Sequence, residues 1–328
     1  MTDRVAILGN GVAGSTLYYL LRKTRPELSV HLYGKQHPTS CGIRPCAWGV
    51  NTGKFISICS QIELDPNKYI LNQSTCFRIN GKKMPCDISM IDKPLLLKNL
   101  NNNTLYDTPD LTRYNRVIDA TGVSTNGTIR HCYQQLVKGE FPLSSWVNLF
   151  PNPTCIWVFL LSGVSHIGIF SLNGMPKEIK LGTETICECR STLSTGLLDK
   201  LVTGNVWKVG EAAGIIDPIT GSGILPAMLS AQLLNTYWDD AREYENAIRY
   251  HFGYMKHPLR ALFHNEFRGI PIKPVGLLYG MFGFLNDYIK STETVLESLY
   301  LKSKSLYPIV RFWLYDYPRI LGLIRKQD

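Results

Sequence analysis

The sequence predicts an α/β protein, and three observations carry the prediction. A glycine-rich turn sits between an apolar strand and a helix at residues 5–23. A second strand runs into a glycine at residues 116–122. An interrupted apolar run at residues 155–172 reads as a β-hairpin. The 328 residues suit one elaborate domain or two sharing an interface. With 45% apolar and 19% charged residues, and neither low-complexity tract nor internal repeat, the composition is that of an ordinary globular protein.

Val5 to Leu8 form a short run of buried-strand type. Gly9-Asn10-Gly11-Val12-Ala13-Gly14 then spells GxGxxG, and Ser15 to Lys23 continue at helical spacing. In a Rossmann-like turn each glycine has a task. Gly9 permits the tight bend, Gly11 lets a pyrophosphate approach the backbone together with Val12 and Ala13, and Gly14 lets helix and strand pack closely. The helix N-terminus then faces the phosphates. The next strand, Leu28 to Tyr33, should end in an acidic residue for the adenosine ribose, yet the chain continues Tyr33-Gly34-Lys35. The ribose contact must therefore differ, and Lys35 would favour an additional phosphate. Further on, Arg116 to Asp119 read as a short strand that runs into the glycine turn Ala120-Thr121-Gly122.

Residues 206–228 read VWKVGEAAGIIDPITGSGILPAM. A strand ends in small residues, Asp217-Pro218 makes a turn, and Gly221-Ser222-Gly223 opens a helix at Ile224. This is a second helix N-terminus able to stabilise negative charge. The apolar run Cys155 to Leu172 is interrupted by Ser162, Gly163, Ser165 and His166, too polar for a membrane span.

The residue 206–228 stretch resembles the GDAAGxxDPxxGxGI motif of FAD-dependent oxidoreductases of the hydroxylase-like superfamily, with Glu211 in place of the usual Asp. Within that superfamily the chain is similar to the geranylgeranyl reductase family. Trp157 and Phe159 match a YxWxFP segment, whose Tyr and Pro are replaced by Cys155 and Leu160, and IDKPLLLKNL (91–100) stands in the place of a crossover helix. The resemblance runs through residue 235 or so. It implies that FAD is held by Gly9, Gly11, Val12, Ala13, Gly14, Gly42, Arg44, Gly122, Gly210, Asp217, Pro218, Gly221, Ser222, Gly223 and Ile224. Trp48, Trp157 and Phe159 would line the substrate cavity. The implied reaction is reduction of carbon–carbon double bonds of a geranylgeranyl-type isoprenoid or lipid by hydride from reduced flavin N5.

The implied organisation is a discontinuous Rossmann-like FAD-binding domain (1–60, 91–130 and 204–240). A β-rich, antiparallel-sheet substrate and catalytic domain (61–90 and 131–203) and a helical C-terminal region (241–328) complete it. Glycines 276, 280 and 283 recur at helical spacing in that last region, and aromatics interleave with Arg311, Arg319, Arg325 and Lys326. The segment fits a helix pair packed on the body or one facing membrane or substrate.

The loop TSCGIRPCAWGV (39–50) holds two cysteines five positions apart. Cys41 is the candidate active-site thiol and proton donor, because the family carries a cysteine in this loop. Cys41 and Cys46 also resemble the flavin-coupled redox-active disulfide of glutathione reductase-like flavoproteins, although no second GxGxxG is present. Flavin monooxygenation and non-catalytic binding of FAD and lipid remain further alternatives. For halogenation the diagnostic lysine and Trp motif are missing. Metal is not expected, since the other cysteines lack zinc spacing.

The nine cysteines are odd in number, and Met1-Thr2-Asp3-Arg4 leads directly into a strand pattern. The expectation is a cytoplasmic protein with mostly reduced thiols. The net charge of +9 favours an anionic surface, but the cations are scattered and no nucleic-acid motif occurs. Compatible partners are the lipid substrate, NAD(P)H or an acidic ferredoxin-like electron donor, and peripheral contact with a membrane.

Overall fold

A computed structural model of the chain describes residues 3–35, 48–79, 82–123, 127–141, 144–148, 154–171, 174, 176, 183–218 and 220–256. The first half contains β1 (Arg4–Leu8), α1 (Val12–Thr24), β2 (Ser29–Tyr33), β3 (Gly49–Asn51), α2 (Thr52–Gln61), β4 (Ile70–Ile79), β5 (Lys82–Ile91), α3 (Lys93–Leu100), β6 (Thr104–Leu105) and β7 (Arg116–Asp119). The second contains β8 (Thr128–Lys138), β9 (Ser144–Asn148), β10 (Thr154–Leu160), β11 (Val164–Ser171), β12 (Thr185–Thr195), β13 (Val202–Thr203), β14 (Val206–Lys208), α4 (Ile224–Thr236) and α5 (Ala241–Phe252).

These strands form two sheets. The first is ordered β13-β14-β7-β1-β2-β6 and is parallel except for the short β13–β14 hairpin at its edge. Its central strand, Arg-Val-Ala-Ile-Leu, buries its three middle residues, as a strand covered on both faces must. Val5, Ile7 and Leu32 point to the face covered by α1, which supplies Leu17, Leu20 and Leu21. Removal of each of these side chains from water contributes about 1.5–3 kcal/mol. The same core continues through α4 with Met228, Ala231 and Leu234 and reaches α5 through Tyr244 and Ile248.

The stretch expected as a crossover helix forms α3. Asp92 caps it by accepting from the Leu95 amide at 2.9 Å, and Pro94 occupies the first turn, where a missing N–H costs nothing. At its far end Asn101 hydrogen-bonds Ser15 of α1, tying the connection to the glycine turn.

The second sheet is ordered β12-β8-β11-β10-β9-β4-β5-β3. β10 and β11 form the expected hairpin, and their register sets Trp157 opposite Gly168, which in turn faces Gln134 on β8. Period-two alternation therefore places Trp157, Phe159, Phe170, Cys132 and Gln134 on one face. Residues 49–51 pair with β5 and so belong to this second sheet. All described residues fall within one compact unit. The loop holding Cys41, Gly42, Arg44 and Cys46, and residues 257–328 with their glycine and aromatic-cation segments, lie outside the described residues.

Candidate functional site

A cavity of about 1180 Å³ runs from the glycine turn of the first sheet to the aromatic face of the second. Gly9, Gly11, Val12, Ala13 and Gly122 line one part of it, Asp217, Gly221, Ser222, Gly223 and Ile224 another, and Trp48, Trp157 and Phe159 a third. The structure thus gathers residues separated by some two hundred positions in the chain. Gly14, Gly210 and Pro218 are not among the lining residues.

The glycine turn is fixed by contacts only glycine allows. Gly9 has φ 116° and its amide donates to the Tyr33 carbonyl at 2.7 Å. A Cβ on Gly9 would lie 2.2 Å from the Ala120 oxygen, and one on Gly14 would lie 1.9 Å from the Gly9 oxygen. Gly11 differs: its φ is −75° and nothing lies within 4 Å of its Cβ position. The space it leaves belongs to the cavity, and no side chain caps the α1 N-terminus there. Open amides and aligned peptide dipoles make this a place for an anionic group.

The adjoining turn after β7 is held by Asp119, which accepts from Thr121 N at 3.2 Å, from Thr121 Oγ1 at 2.7 Å and from Lys208 Nζ at 2.6 Å. Burial alone would raise the Asp119 carboxyl, but the hydrogen bonds from Lys208 and Thr121 and the Lys208 charge hold it below the usual carboxylate range.

In the second turn Asp217 has an internal task. Its side chain accepts from Thr220 N at 2.7 Å and from Thr220 Oγ1 at 2.9 Å, and its backbone exchanges hydrogen bonds with Ser222 and Gly221. The turn delivers Gly221, at φ 70°, to within 3.2 Å of the Phe170 ring, measured from its Cβ position. Gly210, also with positive φ, lets the chain pass Ala13 of α1, where a Cβ would lie 2.6 Å from the alanine methyl. Glu211 lines the cavity and accepts from the Ser194 amide at 3.0 Å, joining this turn to β12. The α4 N-terminus, again without a side-chain cap, opens on the cavity through Gly223, Ile224 and Leu225.

The aromatic end is largely apolar, with Trp157, Phe159, Phe170, Leu193, Cys132 and Ile88 on its walls. Gly168 makes room for the Trp157 indole and Gly49 for the Phe159 ring. Trp48, with a left-handed backbone at φ 55°, meets the buried His166 edge to face at 4.4 Å. Three polar atoms of the wall, Trp48 Nε1, Trp157 Nε1 and Gln134 Oε1, are buried with no hydrogen-bond partner among the described residues. Such atoms are rare enough in folded proteins to point to a ligand or water at the site. Phe170 could have been foreseen from the hairpin register, whereas Gln134 carries no sequence signal because only the pairing of β8 with β11 brings it here.

The described residues fit a dinucleotide. An open backbone cradle at Gly11 and two uncapped helix N-termini suit a pyrophosphate and a charged ring edge, beside a largely apolar end. Among the described residues Cys59, Cys76 and Cys86 are free thiols, while Cys187 is disulfide-bonded. Burial pushes the Cys59 thiol up to about 12 and the Cys86 thiol up to about 11. Among the described residues no helix is long and apolar enough to cross a membrane.

A mainly parallel sheet with this glycine turn, joined across one cavity to a sheet that is antiparallel except where β4 pairs with β9, is a fold shared with flavoproteins. The chain is similar to a geranylgeranyl bacteriochlorophyll reductase-like protein of Thermoplasma acidophilum, with TM-score 0.65, 16% identity, and coverage of 89% of this chain and 99% of that one. A flavoprotein/dehydrogenase of Cytophaga hutchinsonii has TM-score 0.60 and 13% identity over 85% of this chain and 92% of its own. A tryptophan 6-halogenase of Streptomyces toxytricini has TM-score 0.60 and 12% identity over 79% and 77%. In sequence, 78 residues are 36% identical to digeranylgeranylglycerophospholipid reductase 3 of Methanosphaera stadtmanae, a match spanning 22% of this chain and 18% of that relative. No family model matches the chain.

Proposed function

We propose that the chain is an FAD-dependent oxidoreductase that reduces carbon–carbon double bonds of a geranylgeranyl-type isoprenoid or lipid. The observation that carries this reading is the single cavity joining the Gly9–Gly11 turn to the wall formed by Trp157, Phe159 and Phe170. The partial match to a digeranylgeranyl lipid reductase and the fold shared with a geranylgeranyl reductase-like protein support it.

In this reading Gly9, Gly11, Val12 and Ala13 receive the pyrophosphate, and the α4 N-terminus favours negative charge on the ring system. Bound there, FAD would supply the electron pair that reduces an alkene carbon. An unactivated double bond offers no polar handle, so the chain's own contribution is orientation and exclusion of water by the aromatic wall. Cys41 remains the proposed proton donor. NAD(P)H or a ferredoxin-like protein is the proposed electron source, and the net charge of +9 supports peripheral contact with an anionic lipid surface.

The test is anaerobic reduction of the purified protein followed by a digeranylgeranyl phospholipid. Bleaching of a bound flavin and a mass gain of two hydrogens per double bond are expected. A chain that cannot be reconstituted with FAD sinks the reading. A thiolate-to-flavin charge-transfer band on reduction, lost in Cys46→Ser, would replace it with the redox-disulfide mechanism.

A further inference from the structure

The carboxylate ordinarily found at the end of the second Rossmann strand, where it holds the adenosine ribose, is absent from Tyr33-Gly34-Lys35. Packing reinforces the absence. A Cβ on Gly34 would lie 2.4 Å from Asn10 Cγ and 2.7 Å from Thr104 Cγ2, so a side chain there would have to displace Asn10 and Thr104.

The neighbouring strand offers a substitute. β6 runs parallel beside β2 with Leu105 opposite Tyr33, and the Gly34 amide donates to the Leu105 carbonyl at 2.9 Å. The chain therefore leaves β6 one strand spacing, about 4.8 Å, to the side of the end of β2. Tyr106, Asp107, Thr108, Pro109 and Leu111 from this segment all line the cavity.

Among the described residues three acidic ones line it: Asp107, Glu211 and Asp217. Glu211 is engaged with the Ser194 amide and Asp217 with Thr220. Asp107 forms no hydrogen bond or ion pair with another described residue. Its charge is felt at Tyr33, whose hydroxyl is pushed up to about 12 by burial first, then by the hydrogen bond with Tyr114, with Asp107 adding to the shift. Next to it Tyr106, 58% exposed, leaves a large apolar ring uncovered at the same cavity.

We propose that Asp107 accepts the adenosine ribose hydroxyls of the bound dinucleotide in place of the missing carboxylate of β2, with Tyr106 lying against the adenine. The assignment rests on the FAD reading above and adds to it the means by which the adenosine half is recognised. A carboxylate here selects free ribose hydroxyls and repels a ribose phosphate, the opposite of what Lys35 alone would favour.

The test is calorimetric titration of the apoprotein with FAD and with FMN, which lacks the adenosine. Asp107→Ala should weaken FAD binding about tenfold or more, as expected for a lost hydrogen bond to a charged group, while FMN affinity and the thermal melt stay at the wild-type value. Tyr106→Ala should weaken FAD a few-fold, again without effect on FMN. Asp110→Asn, which alters an exposed carboxylate engaged with Thr112, should bind FAD as the wild type does. Wild-type affinity in Asp107→Ala, or an equal loss in Asp110→Asn, overturns the assignment alone. A wild-type apoprotein that takes up no FAD overturns the flavin reading and the assignment with it.

Discussion

Trp157 lies across Gly168 of the neighbouring strand, its Cζ2 only 2.2 Å from the point a Cβ at residue 168 would occupy. The indole is one of the most buried side chains of the aromatic wall, and Gly168 is what lets it lie flat there. Gly168→Ala should displace the ring, destabilise the fold by about 1–3 kcal/mol and change the tryptophan emission, read by denaturant titration and fluorescence. An unaltered emission spectrum would contradict the described packing.

Gly11 and Gly14 separate binding from folding. At Gly14 a methyl group meets backbone that cannot yield, so Gly14→Ala should cost several kcal/mol or prevent folding. At Gly11 there is open space and an ordinary φ, so Gly11→Ala should leave the apoprotein melt within about 0.5 kcal/mol while FAD affinity falls. Equal losses of stability in both variants would show that Gly11 is part of the packing and not of the cradle.

Asp119 and Lys208 bridge β7 and β14 at 2.6 Å, with side chains 20% and 27% exposed. The folded-state Asp119 carboxyl is held below its ordinary value, so its contribution is present above the unfolded pKa of about 3.9 and is lost as pH falls through the folded value. Asp119→Asn should therefore lose about 2 kcal/mol at pH 7, and its deficit should shrink in acid. Melts at neutral and acid pH measure this; a deficit independent of pH would exclude the ion pair as its source.

Cys59 and Cys86 should resist alkylation in the native protein. With pKa values pushed up to about 12 and about 11, chiefly by burial, their thiolate fraction at neutral pH is very small. Mass spectrometry after iodoacetamide at pH 7 should find both unmodified until denaturant is added. Labelling of either in the native state would place it among the redox candidates with Cys41 and Cys46.

Local patterns were legible before the fold. The GxGxxG turn and the β10–β11 hairpin each depend on residues close in sequence, where strand period, helix period and glycine stereochemistry leave few alternatives. The joining of Trp157 to Gln134 through Gly168, and of Gly34 to the strand before Asp107, depends on which strands become neighbours. Pairing partners are chosen by the burial of whole faces, a quantity no single stretch of sequence carries.

By itself the sequence determined a dinucleotide-type turn, a second glycine-opened helix and a missing ribose carboxylate, because each is a property of consecutive residues. The tertiary structure alone decided that these share one cavity with an aromatic wall. It also decided that Asp217 braces its own turn and that a carboxylate returns beside β2 from the adjacent strand. The physical reason is that sheet order and register bring together side chains from distant parts of the chain. The open space at Gly11 and the buried Gln134 oxygen with no partner among the described residues exist only once that order is set.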